Sequence, residues 1–247
     1  MKTKRHFWKF GLITGSLLFS SIVELVKLIF GSGSISLDSI EGQKLLESSS
    51  YRRNYELLNY YFTAQNKFNY CGVASAAIVL NALSTTTSTG FEKNDSSAIT
   101  QHDVFENKIK PVILFGSVFL GMTLEQLEKL FKAYCVNAKA YYAKFITINE
   151  FRNLAKLSLN QSDTFVVVNY SRTWAGLSGH ISPLVAYSLA EDSFLILDVT
   201  QKNSSVWMKT RTLYSAMNTY DLTSINFWSI KSRGFVVVTR NFDVAEM

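Results

Sequence analysis

The chain has 247 residues, of which 47% are hydrophobic and 14% aromatic, with two prolines and two cysteines. That is enough apolar material for one large packed domain or two small ones, and too little cysteine for a disulfide framework or a zinc ribbon. The formal charge of +6 is unevenly spread. Lys2, Lys4, Arg5, Lys9 and Lys27 stand against Glu24 alone through Ser34, and the remainder carries 20 basic and 18 acidic side chains with no dense basic run. This distribution argues against nucleic acid as a partner.

Residues 1–34 combine a basic start with a mostly apolar stretch from Phe10 to Val23, the pattern of an export signal or, read longer, of an N-terminal membrane anchor. Either implies an exported or membrane-associated protein, most simply on the periplasmic side of a bacterial inner membrane; an organelle-targeting helix is the other reading. Residues 35–247 read as one domain. Leu45 to Phe62 suits a surface helix or an extended lead-in. Cys71 to Leu83 is apolar nearly all round, as a central buried helix must be, and Ser84 to Ser97 is a polar loop. Thr123 to Tyr134 is predicted helical, with Thr123 as N-cap, Gln126 at the third position and Leu124, Leu127, Leu130 and Phe131 as the apolar stripe. Cys135 follows and reads as a core residue. Strands are predicted at Thr164 to Tyr170, Ile181 to Leu189, Ser193 to Thr200 and Gly234 to Arg240, with Ala190-Glu191-Asp192 as a turn. Helices ahead of a mostly antiparallel sheet make an α+β domain.

Cys71 stands where a polar stretch gives way to the small-residue helix Cys71-Gly72-Val73-Ala74-Ser75-Ala76-Ala77. At a helix N-terminus, unpaired N–H groups favour thiolate and can lower a cysteine pKa from about 8.5 toward the range of roughly 3.5 to 7.5. An arbitrary cysteine is more often simply buried, and a Cys71–Cys135 disulfide would compete with nucleophilic use. Nucleophilic thiol chemistry needs a base, a group that orients the base, and oxyanion donors. Of the three histidines, His180 opens a predicted strand. Asp198 ends the next one after four apolar residues, where burial without a partner would be costly. A simple hairpin about Glu191 puts Asp198 opposite Val185, several residues from His180. Pairing the two therefore requires a bulge, strong twist or a different turn.

Gln65, Tyr70-Cys71-Gly72-Val73-Ala74-Ser75, Val79-Leu80-Asn81-Ala82-Leu83, Gly179-His180-Ile181-Ser182-Pro183 and Leu195-Ile196-Leu197-Asp198-Val199, in that order, resemble the catalytic domain of phytochelatin synthases. So do Tyr170-Ser171-Arg172 and Ser232-Arg233-Gly234-Phe235. The resemblance runs from about Tyr51 to Arg240. It implies a papain-like fold and a γ-glutamylcysteine transpeptidase or hydrolase acting on glutathione, with a role in heavy-metal detoxification. Cys71 would be the nucleophile, His180 the base and acid, Asp198 the orienting carboxylate and Gln65 an oxyanion donor. Arg172, Gly179 and Arg233 would bind substrate, guanidinium groups suiting glutathione's carboxylates. No cofactor is required by the chain, and Cd or Zn would stimulate as substrate thiolates.

The family's Tyr-Pro-Pro-x-Trp stretch is replaced here by Lys202-Asn203-Ser204-Ser205-Val206-Trp207, which puts second-substrate binding in question. The chain ends at Met247 without a cysteine-rich extension, like the short prokaryotic form in which hydrolysis often prevails. A homodimer is left open. The competing readings are another papain-like peptidase or amidase, and a catalytically silent membrane-tethered binding protein.

Overall fold

The computed structural model describes residues 34–85, 98–105, 121–172, 179–201, 205–221 and 231–241. The chain divides into two units, Met1–Ser34 and Ile35–Met247, and the helices and the body of the sheet belong to the second. The N-terminal segment read as a signal or anchor lies outside the described residues apart from Ser34, as do residues 86–97 of the polar loop. Among the described residues, no helix is long and apolar enough to cross a membrane.

The described residues form a seven-stranded sheet: β1 (Ser34–Ser36), β2 (Asn137–Tyr142), β3 (Thr164–Ser171), β4 (Gly179–Ser188), β5 (Ser193–Ile196), β6 (Val206–Lys209) and β7 (Gly234–Thr239), in the order β1-β6-β5-β4-β3-β7-β2. The β2–β7, β7–β3, β3–β4, β4–β5 and β5–β6 pairs are all antiparallel. The helices are α1 (Ile40–Ser48), α2 (Tyr55–Tyr60), α3 (Cys71–Thr85), α4 (Leu124–Ala133), α5 (Ile148–Leu159) and α6 (Thr210–Met217), with a short helical turn at Gln101–Asp103. The α+β expectation, with a central buried helix that begins at Cys71 and an antiparallel sheet, is met.

The sheet is covered on both faces, which explains why β3 reads as an unbroken apolar run. Phe165 and Val167 join the core around α3, whereas Val166, Val168 and Tyr170 join the one around α5 and α6. Every residue of α3 from Cys71 to Leu83 is buried. Its small N-terminal residues permit close approach to β4: a Cβ on Gly72 would meet the Ile181 Cδ1 at 3.2 Å, and the Ser75 hydroxyl donates to the Ile181 carbonyl at 3.0 Å.

Helix α4 starts as the sequence predicts. The Thr123 hydroxyl accepts from the Gln126 N–H at 3.3 Å, the Gln126 side chain accepts from the Thr123 N–H at 2.8 Å, and the predicted stripe is buried. Two helices escaped sequence reading. Helix α5 has its own capping box, Thr147 with Glu150, and buries Phe151, Ala155 and Leu159; α6 buries Leu213 and Met217. They lie between strands in the chain, so helices do not simply precede the sheet. The Leu45–Phe62 lead-in is neither one helix nor extended: α1 and α2 flank a single bridge from Tyr51 to Tyr187.

Cys135 is not a core residue. It is exposed, it forms no disulfide, and its φ of 59° places it in the left-handed region just past α4. A side chain there costs roughly 1 kcal/mol relative to glycine. Replacing Cys135 with glycine should therefore raise stability by about 1 kcal/mol, read as a higher urea midpoint with an unchanged denaturant slope.

Candidate active site

Cys71 is the first residue of α3, and the preceding Tyr70 carbonyl accepts the first helical hydrogen bond, from the Ala74 N–H at 2.8 Å. Only 6% of Cys71 is exposed. The backbone N–H groups of Ile181 and Gly72 point at its sulfur, so the nucleophile candidate abuts the residue that follows His180.

His180 and Asp198 meet because β4 and β5 do not follow a simple hairpin. Ser188 pairs with Ser193 and Ala186 with Leu195, and then the register shifts so that Leu184 pairs with Ile196. This bulge puts Val185 and Ala186 on the same face, in the α3 core, while Leu184 and Tyr187 face the other one. Beyond it the Leu197 N–H donates to the Pro183 carbonyl at 2.9 Å. Continued one step, this register brings Asp198 beside Ser182 and within reach of His180. The His180 Nε2 lies 3.0 Å from the Asp198 Oδ1, and both residues are about 95% buried, at 4% and 5% exposure. The Thr200 N–H donates to the same Oδ1 at 2.8 Å, the Arg172 guanidinium is ion-paired with Oδ2, and the Ser182 hydroxyl is 3.0 Å from Nε2. Tyr170 packs edge-on against the imidazole with ring centroids 5.7 Å apart.

Gln65 is held by its backbone. Its N–H donates to the Val199 carbonyl at 2.7 Å, one residue beyond Asp198. Gln101, buried in the short helical turn, grips the residues on either side: its Nε2 donates to the Ala64 carbonyl at 2.7 Å and its Oε1 accepts from the Asn66 N–H at 2.9 Å. The Gln65 Nε2 donates to the Phe68 carbonyl at 2.9 Å, while its Oε1 is buried without a hydrogen-bond partner. Nothing in the sequence signalled Gln101. Ser182 was visible in the histidine motif, two residues from His180 and hence on the same face of the strand, but no role was read for it.

The arginines are placed differently from a pair of open carboxylate receptors, because each already holds a carboxylate of the chain. Arg172 serves Asp198. Arg233 has no exposed surface; its Nη2 is 3.7 Å from the Asp221 Oδ1, and its Nη1 donates to the Thr219 hydroxyl at 3.0 Å. Gly179 makes room for that guanidinium, since a Cβ there would come within 3.2 Å of Arg233 Nε and Nη2.

Burial governs the protonation states. It pushes the Cys71 thiol up, more than the N–H groups of Ile181 and Gly72 and the charge of Arg172 bring it down. It pushes His180 down, more than the Asp198 hydrogen bond raises it. The expectation that the helix N-terminus favours a thiolate is therefore corrected: burial holds thiol and imidazole both toward neutral. Asp198 goes the other way. Burial alone would raise its pKa, but the His180 hydrogen bond, the charges of His180 and Arg172, and the Thr200 N–H hold it well below the usual carboxylate range. Among the described residues, no group of three or more His, Cys, Asp or Glu side chains is placed to hold a metal ion.

A helix-borne buried cysteine beside a histidine–aspartate pair on an antiparallel sheet is the arrangement of a candidate cysteine-dependent enzyme. The model of the phytochelatin synthase family matches residues 26–235, and the chain belongs to that family. It is 30% identical over 200 residues to glutathione gamma-glutamylcysteinyltransferase 3 of Lotus japonicus, covering 76% of this chain and 39% of that protein. It is 28% identical over 220 residues to glutathione gamma-glutamylcysteinyltransferase 1 of Arabidopsis thaliana, covering 83% and 42%. The chain thus spans about two fifths of the length of these curated relatives. Among solved structures, the peptidase domain of Streptococcus ComA, a bi-functional ABC transporter involved in a quorum-sensing pathway, matches at 12% identity with a TM-score of 0.43, over 72% of this chain and 97% of that one.

Two outcomes follow from the protonation states. In a Cys135→Ser background, iodoacetamide should modify Cys71 slowly at pH 6 and increasingly fast above pH about 8.5; rapid modification at pH 6 would contradict the neutral pair. His180 binds fewer protons folded than unfolded, so its contribution to stability is intact above the unfolded value of about 6.5 and lost as the pH falls below it. Asp198 keeps its contribution above about 3.9 and loses it on further acidification. The melting temperature should accordingly fall between pH 7 and pH 5, and less steeply in His180→Gln.

Proposed function

We propose that this protein is a γ-glutamylcysteine transpeptidase and hydrolase that takes glutathione as its acyl donor through a Cys71-His180-Asp198 triad. The observation that carries the reading is the buried hydrogen bond between the His180 Nε2 and the Asp198 Oδ1, in a chain of this family. With Nε2 committed to the carboxylate, Nδ1 is the nitrogen left to take the thiol's proton.

The Cys71 sulfur attacks the carbonyl of the cysteinyl–glycine amide while its proton passes to His180, so that a C–S bond forms and a tetrahedral oxyanion develops. The free hydrogen of the Gln65 Nε2 and the Cys71 N–H stabilise that oxyanion. As it collapses the C–N bond breaks, His180 returns the proton to the departing glycine amine, and a γ-glutamylcysteinyl thioester remains. Water then yields γ-glutamylcysteine, or the amino group of a second glutathione yields a short phytochelatin, in either case regenerating the thiol. A resting thiol and neutral imidazole support proton transfer concerted with attack.

Arg172, about a third exposed, carries the charge that would recognise a glutathione carboxylate, sharing itself between substrate and Asp198, whereas the fully buried Arg233 would act only behind the site, through Asp221 and Gly179. Cd or Zn would enter as the thiolate of the substrate. Residues 1–34 support export or membrane attachment as part of the same reading.

Incubating the protein with glutathione and measuring glycine release tests this. Cys71→Ala should abolish release, and Gln65→Ala should lower kcat about 10²-fold, as loss of one oxyanion donor does. Glycine released by Cys71→Ala at the parent rate would overturn the mechanism, whereas release from α-linked peptides in preference to glutathione would overturn the substrate.

A further inference from the structure

We propose that Ser182 is a positioning residue for the general base, sharing the Nε2 proton of His180 with Asp198 and so holding the ring in the orientation that leaves Nδ1 for Cys71. This rests on the triad reading above. Ser182 sits two residues along β4 from His180 and is completely buried. Its Oγ is 3.0 Å from the His180 Nε2, the same separation as the Asp198 Oδ1 from that nitrogen. The Val199 N–H occupies one lone pair of Oγ through a long contact of 3.4 Å, leaving the other for Nε2–H.

The opposite arrangement, with the hydroxyl donating to a bare Nε2, would leave that nitrogen's lone pair facing an ionised carboxylate 3.0 Å away. Asp198 is held ionised, so this tautomer, which would put the proton on Nδ1 and block uptake from the thiol, is disfavoured. Ser182 therefore acts as an acceptor. An imidazole hinged on one contact can swing about it; two acceptors at the same nitrogen, one on β4 and one following β5, restrain the ring in its plane. Val199 extends the restraint, because the residue whose N–H reaches Ser182 also accepts the Gln65 N–H at 2.7 Å. The base and the oxyanion donor are thus referenced to one backbone residue.

The charged and titratable groups around His180 are Asp198 beyond β5, Tyr170 and Arg172 at the end of β3, Cys71 at the start of α3, and Arg233 with Asp221 behind Gly179. Among the described residues, the Ser182 hydroxyl contacts His180 and the Val199 N–H and not these groups, so a Ser182 variant addresses the second acceptor directly. When the thiol proton reaches Nδ1, the Nε2–H becomes a charge-assisted donor, and loss of one acceptor destabilises that imidazolium.

The test compares Ser182→Ala and Ser182→Thr with the parent. Ser182→Ala should lower kcat for glycine release about tenfold with KM changed by less than about twofold, and should move the acidic limb of the kcat profile to lower pH. Ser182→Thr should restore most of the rate. Nitrogen-15 NMR of the substrate-free protein, with the His180 signals assigned by their loss in His180→Gln, should show protonated Nε2 and bare Nδ1 in both proteins, because Asp198 remains, with the His180 titration moved to lower pH in Ser182→Ala. A parent-like His180 titration, rate and pH profile in Ser182→Ala would overturn the proposal. Should Ser182→Ala not fold, Ser182→Cys, nearly isosteric and a weak acceptor, is read the same way. The NMR result needs no substrate, so it decides the role of Ser182 even if glutathione proves not to be the acyl donor.

Discussion

A single carboxylate organises this site. Asp198 is almost entirely buried, and burial by itself would keep it protonated; His180 on Oδ1, Arg172 on Oδ2 and the Thr200 N–H on Oδ1 together reverse that tendency. An uncompensated buried charge costs several kcal/mol, so none of the partners is dispensable to the others. The same charge serves both neighbours: it lies against the imidazole Nε2 and holds a guanidinium that is about a third exposed.

The carboxylate reaches the histidine only through a backbone irregularity. Four residues, Leu189 to Asp192, separate the last β4 partner Ser188 from the first β5 partner Ser193, and Asp192 has a positive φ of 42°. The Arg152 guanidinium takes both Asp192 carboxylate oxygens at 2.8 Å, and the Thr210 hydroxyl and Tyr187 phenol also contact that side chain, which pins the turn. The bulge then advances β5 by one more position. A hairpin that closed two residues later, without the bulge, would leave the same sequence with a histidine and an aspartate on one sheet and no contact between them. Turn and bulge are thus the local devices by which a strand register becomes a catalytic distance.

Much of this was legible from residue pattern, and the failures have physical causes. The α4 cap and stripe, the small-residue α3 and strands β3, β4 and β7 are encoded locally, within one or two turns or one alternation, and were placed closely, whereas β1, β2 and β6 were not among the predicted strands and β5 ends at Ile196, short of the expected Thr200. The α5 and α6 helices were missed although Thr147 and Glu150 carry the same capping signal as Thr123 and Gln126. Order of elements was expected to separate helices from strands, whereas covering both faces of a wide sheet requires helices on the return connections. Cys135 was misread because an apolar neighbourhood in sequence, Tyr134 and Val136, says nothing about a backbone turning left-handed after a helix. The protonation of Cys71 was misread for a related reason: helix-terminal N–H groups are visible in sequence, but desolvation depends on what packs over the residue, and here it outweighs them.

The three residues of the proposed triad are carried by different parts of the chain whose mutual positions are fixed away from the site. Cys71 rides on a helix buried along its whole length from Cys71 to Leu83, His180 and Ser182 on a central strand paired on both sides, and Asp198 on chain tied back to that strand at Pro183. Gln65, like Asp198, comes from irregular chain, and it is clamped by the side-chain amide of Gln101, bonded to the residues before and after it. A side-chain amide that brackets one residue of a loop supplies the hydrogen bonds a strand neighbour would otherwise provide. In the proposed role of oxyanion donor Gln65 would need such a substitute, because the value of that role lies in not having to reorganise as charge develops. The precision available to strands and helices through packing is reproduced at Gln65 through hydrogen bonds, and that is why a buried glutamine with no chemistry of its own belongs to the architecture of the site.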